Sequence, residues 1–128
     1  MDLTIMGNQQ LSARFYLFAL NVISLVEKLP RSAAGGEIGK QLFSAAAAVN
    51  TSYDEARAAS SRDEFTLMLC QSFKQAREAH LWLNMLKDSS LCVGKEVEDL
   101  LAESAVIRNI LAKSVKTTRS RNAGIKKA

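Results

Sequence analysis

The stretch Leu11–Pro30, LSARFYLFALNVISLVEKLP, decides how the rest of the chain is read. Leu11, Phe15, Phe18, Val22, Leu25 and Leu29 recur with alternating steps of four and three, which gathers all six on one apolar stripe of an α-helix. Pro30 ends that helix, because proline cannot continue the hydrogen-bond ladder and disfavours helical geometry in the residue before it. The continuously apolar part, Phe15 to Val26, is interrupted by Asn21 and Ser24, and only Arg14 precedes it. It is far shorter than the ~20 residues that cross a bilayer. A core helix is predicted, neither a targeting segment nor a membrane anchor, so no membrane partner is expected.

The same spacing returns three times toward the C-terminus. After a turn over Arg31–Gly36, a second helix is expected from about Glu37 to Ala59, with Ile38, Leu42, Ala45, Val49, Ser52, Ala56 and Ala59 as its seam. Its small side chains let a neighbouring helix come close. Ser61 and Glu64 then have the spacing of a capping box, a hydroxyl accepting from a free backbone amide while the carboxylate reaches back. The third helix carries Phe65, Leu69, Ser72, Ala76, Ala79, Leu83 and Leu86 on its seam, and Met68, Phe73, Leu81, Trp82 and Met85 elsewhere around it. One face cannot hold them all, so a second cover is expected, most simply another subunit. Asp88–Gly94 makes the last connection. The fourth helix is expected over about Lys95–Thr118, with Val97, Leu100, Ser104, Ile107 and Leu111 as seam. Its acids fall in the first turn and Lys113 and Lys116 near the end, as the helix dipole favours. Four helices joined by short turns must alternate direction. The fold expected is all-α, an antiparallel up-down-up-down four-helix bundle over 1–118, with 119–128 as a basic, disordered C-terminal tail.

Composition agrees and narrows the function. In 128 residues there are one Pro and six Gly, too few for a many-stranded sandwich or a Gly-rich phosphate loop. The net charge of +4 is uneven. Glu103 is the last acid and seven bases follow it, so residues 104–128 carry +7, while the first 103 hold ten bases against thirteen acids, a net −3. Such a segment attracts polyanions by counterion release. Two cysteines, Cys70 and Cys92, are too few to staple a secreted fold and read as reduced thiols of a cytoplasmic protein.

These residues resemble the four-helix bundle proteins named after the open reading frame in 23S ribosomal RNA intervening sequences. The resemblance covers about Phe15 to Leu86. It is carried by Leu29-Pro30, by Gln41-Leu42 and the small residues through Val49, and by Glu55-Ala56. Ser60-Ser61-Arg62-Asp63-Glu64-Phe65, Lys74 through Glu78, and Trp82-Leu83-Asn84-Met85-Leu86 complete it. Two positions depart from the pattern: Ser44-Ala45 stands where Arg-Ser is common, and Ser52 where an Asn precedes Glu-Ala. The resemblance implies a homo-oligomer, a five-fold ring around a central channel, and implies no enzyme activity.

Chemistry-bearing residues are sparse. His80 is the sole histidine, has no second ligand in sequence, and is read as structural or surface. Asp54, Glu55 and Glu78 lack the Glu-x-x-His motifs of a di-metal bundle. Glu55 and Glu78 are expected to pair with Arg57, Arg62 or Arg77. Trp82 is read as a core or interface anchor, and the two thiols as unreactive. With no nucleophile–base pair, metal set or phosphate loop, neither an enzyme nor a cofactor is expected. Two functions remain. One is an oligomer that binds RNA or a ribonucleoprotein through Lys113, Lys116, Arg119, Arg121, Lys126 and Lys127, mainly at phosphates, since no base-stacking set is visible. The alternative is a protein-interaction scaffold or accessory subunit. In either, the self-association surface is expected from Tyr16, Leu20, Ile23, Leu67, Phe73, Leu81, Trp82 and Ile110.

Overall fold

A computed structural model describes the backbone of residues 2–127 and the side chains of residues 10–124. Four helices account for nearly all of it: α1 (Asp2–Val26), α2 (Ala33–Arg57), α3 (Arg62–Asp88) and α4 (Lys95–Lys127). They form the expected bundle. Each helix packs on its chain neighbours and α1 also meets α4, while among the described residues the backbones of diagonal pairs do not come close. Antiparallel register is visible in the cross-links, since Arg14 of α1 and Lys28 in the turn after it meet Glu103 and Glu96 of α4, while Thr66 and His80 of α3 meet Asn122 and Ser104 of α4.

The seams supply the core. Phe15, Phe18, Val22 and Leu25 of α1 pack with Leu42, Val49 and Tyr53 of α2, Leu69, Leu83 and Leu86 of α3, and Val97, Ile107 and Leu111 of α4. Phe15 meets Tyr53 edge-on at 5.0 Å between ring centroids, one of the preferred aromatic geometries. The α2–α3 contact is the broadest in the bundle, and its residues explain that. Ala45, Ser52 and Ala56 oppose Ser72, Ala76 and Ala79, so the backbones approach closely enough for Ser72 Oγ to donate to Val49 O at 2.8 Å. The α1–α4 seam is the thinnest and is polar at its edge. Arg14 Nε and Nη2 donate to Glu103 Oε2 and Oε1 at 2.7 and 2.8 Å, and Lys28 Nζ donates to Glu96 Oε2 at 2.8 Å.

Element ends differ from the expected ones in instructive ways. α1 stops at Val26, not Leu29, because Lys28 and Leu29 donate to Leu25 O and Val26 O in a tightened turn before Pro30. α2 starts at Ala33, four residues earlier than expected, because the Ser32 hydroxyl accepts from Gly35 N and caps it. The Ser61 cap accepts from Glu64 N as the capping box requires, but the Glu64 carboxylate reaches one residue further back, to Ser60 N and Ser60 Oγ. Two helices are longer than expected by nine residues: α1 begins at Asp2, not about Leu11, and α4 does not end at Thr118 but continues to Lys127. No proline interrupts it, and two cross-links tie it to α3: Asn122 Nδ2 donates to Thr66 Oγ1 at 2.9 Å and Arg119 Nη2 to Cys70 Sγ at 3.3 Å.

Candidate nucleic-acid and assembly surfaces

The basic segment is therefore a helix, and its geometry disperses the charge. Lys113, Lys116 and Arg119 follow one another in steps of three, and each step falls about 60° short of a full turn. Arg119 consequently turns to α3, where it meets Cys70, while Arg121 lies beside the α2–α3 turn and Lys113 lines a cleft with Leu11, Ile110 and Phe65. Lys116 is exposed. The side chains of Lys126 and Lys127 lie outside the described residues. The four described bases therefore form a belt around the end of α4 rather than one stripe.

Two adjoining clefts, each about 430 Å³, open where this end of α4 passes the α2–α3 turn. They share Phe65, Thr118 and Arg121, and the first adds Arg62, Ser60 and Asn122. Phe65 is half-buried against the core. Its nearness to Arg121 joins the starts and ends of different helices, which no local pattern encodes.

His80 is not isolated. Its Nδ1 lies 2.6 Å from Ser104 Oγ, across α3 and α4. The Ser104 hydroxyl donates to Leu101 O at 3.0 Å, so the imidazole donates through Nδ1. A serine whose proton is committed to a carbonyl and which is 1% exposed is a structural link, not a nucleophile. Burial, and secondarily Arg108, hold the His80 pKa below its usual value. Burial likewise raises the Cys92 thiol, with Glu96 adding to it. Among the described residues no group of three or more His, Cys, Asp or Glu gathers to hold a metal ion.

The expected pairing of Glu55 and Glu78 with arginines is not found among the described residues. Arg57 turns to Asp54 instead, one helical turn back, at 3.5 Å, and Arg77 lies over the Phe73 ring at 5.6 Å. Asp54 also accepts from Ser12 Oγ at 2.8 Å, which ties it to α1.

The eight apolar side chains expected on the self-association surface separate into two sets. Tyr16, Leu20, Ile23, Leu67 and Leu81 are exposed. Phe73 and Trp82 are half-buried against the bundle's own core, and Ile110 is half-buried beside one of the clefts, so these three are largely covered within one chain. Met85, expected off the seam of the third helix, is exposed, and so are Leu17, Phe43, Val93 and Val106, which the seam pattern did not single out. Phe43 extends the α1 stripe: with Ile23 it lines a groove of about 260 Å³ whose base includes Gly39 and Val26 and whose edge carries Glu27 and Lys40. Among the described residues no helix is long and apolar enough to cross a membrane.

No protein-family model and no curated protein matches the chain. A solved structure does: a protein of unknown function from the S23 ribosomal protein family of Bacteroides thetaiotaomicron, with a TM-score of 0.77. The match covers 85% of this chain and 97% of that one at 22% identity. At that identity the likeness shows the fold.

Proposed function

We propose that the protein is a non-catalytic, self-associating helical bundle of the 23S intervening-sequence type that binds RNA through the basic end of α4. The observation carrying this reading is the charge distribution, seven bases and no acid after Glu103, six of them from Lys113 onward on the last part of one helix. The motifs from Phe15 to Leu86 and the fold shared with a protein of the S23 ribosomal protein family support the family assignment. The dispersed belt suits phosphate contacts, which need no single recognition face. Self-association multiplies the belt on one body, and each weak contact raises the effective concentration for the next. A ring of five follows from the family resemblance.

A gel shift with total cellular RNA at rising salt tests the binding. Steep salt dependence is expected, together with loss of the shift when Lys113, Lys116, Arg119, Arg121, Lys126 and Lys127 are replaced by Gln. Charge substitution is preferable to ending the chain at Thr118, which would also remove the contact of Asn122 with Thr66. An unchanged shift overturns the RNA reading. The exposed row Tyr16, Leu20, Ile23 with Phe43 favours a protein-interaction scaffold in its place. Light scattering on the wild type and on Leu20→Glu tests assembly, with an oligomer expected for the first and smaller species for the second.

A further inference from the structure

The cleft between the α2–α3 turn and the end of α4 brings together groups that the basic segment alone does not have. Arg62 and Arg121 line it from different helices, and neither has a carboxylate partner among the described residues. Five other bases, Arg14, Lys28, Arg57, Lys87 and Lys95, are committed to ion pairs. Two acids follow Arg62 in sequence, Asp63, which lines the neighbouring cleft with Arg119, and Glu64, whose carboxylate is held by Ser60 N and Ser60 Oγ, and neither is part of the lining. The same wall includes Phe65, with Thr118 and Asn122 as hydrogen-bonding groups. Planar guanidinium groups favour phosphate, which they can hold through paired N–H donors. An aromatic ring beside them offers the flat apolar surface on which a nucleobase stacks, and single-strand binding combines these two elements. At about 430 Å³ the cleft is ligand-sized, and it opens to solvent, so a strand can enter and leave it.

We infer that this cleft holds one unpaired nucleotide of an RNA strand, its phosphate between Arg62 and Arg121 and its base against Phe65. The inference rests on the RNA reading for its ligand, and it goes further by placing a contact on Arg62 and Phe65, which lie outside the basic segment. It also predicts a preference for single-stranded over duplex RNA, because a paired base cannot reach the ring.

Fluorescence anisotropy with a short oligouridylate at low salt, on the full chain, tests it. Arg62→Gln and Arg121→Gln should each weaken binding about tenfold and lower the salt slope by about one ion. Phe65→Leu, which keeps an apolar side chain against the core, should weaken binding about tenfold with the salt slope unchanged. Oligouridylate binding unaffected by Arg62→Gln, Arg121→Gln and Phe65→Leu overturns the cleft and leaves the RNA reading standing. Titration with uridine monophosphate, followed by the backbone amide signals of Ser60, Thr118 and Asn122, separates the two further. If those signals move while the oligonucleotide does not bind, the cleft stands and the RNA reading falls. Inorganic phosphate binding as tightly as the nucleotide overturns the base contact, and no response to any of the three ligands overturns the whole proposal.

Discussion

Gly35 and Gly36 stand side by side in the first turn of α2 under opposite constraints. A Cβ on Gly35 would lie 2.5 Å from Pro30 O, a backbone atom fixed by the turn, whereas one on Gly36 would meet nothing within 4 Å. Gly35→Ala should therefore destabilise by about 1–3 kcal/mol, as overpacking does. Gly36→Ala should stabilise by about 0.5–1 kcal/mol through reduced freedom of the unfolded chain. Urea denaturation reads both, and shifts of the same sign would refute the close approach. His80 sets a pH dependence. Its folded pKa lies below the ordinary 6.5, so on acidification the unfolded chain takes up the proton first. The stability present above the unfolded value is lost as pH falls through it toward the lower folded one. Because Nδ1 already donates to Ser104, protonation leaves that bond intact, and the loss comes from charging a partly buried ring beside Arg108. The melting temperature should fall between about pH 7.5 and about pH 5 in the wild type, and fall less in His80→Gln.

At the scale of elements, α4 should behave as a helix to its end. Amide hydrogen exchange over Arg119–Asn122 should be slower than in an unstructured peptide, and Asn122→Ala should speed it by removing the donor to Thr66. Exchange at the peptide rate in the wild type would return these residues to a frayed tail. The sequence pattern missed this extension for a physical reason. Apolar periodicity records a helix with a core on one side, and past Val115 no described side chain of α4 is buried, while the cross-links to α3 there are polar or thiol groups. The central seams were legible because they are buried, and Pro30 and Ser61 were legible because stop and cap chemistry is local. The cleft was not, since Phe65 and Arg121 meet only after α3 and α4 have packed. The sequence could supply Phe65 as a seam residue and Arg121 as one base of a run, but not their proximity. Phe73, Trp82 and Ile110 were assigned outward because they lie off the strict seam, yet the stripe covered by two flanking helices is wider than the seam itself.

Over the whole molecule, charge has a direction along α4. Glu96, Glu98 and Asp99 occupy the end where α1 finishes, Glu103 pairs with Arg14 at its middle, and Lys113 and Arg121 share a cleft with Leu11 toward the end where α1 begins. The thin α1–α4 seam gives the same axis a consequence for folding order. Contacts between consecutive helices close short loops, with the broad α2–α3 interface the largest of them, whereas joining α1 to α4 brings together segments separated by most of the chain. A nucleus built on the α2–α3 hairpin, with the two terminal helices docking afterwards, is the order this topology favours. Arg14→Gln deletes a bidentate but solvent-accessible link, worth about 1 kcal/mol or less. Stopped-flow chevrons should show that loss as faster unfolding at an unchanged folding rate, while Ala76→Gly in the hairpin slows folding. The seam between the first and last helices is then a late-closing latch, and a protein that opens there first can exchange its α1 with a neighbouring copy without dismantling the hairpin at its centre.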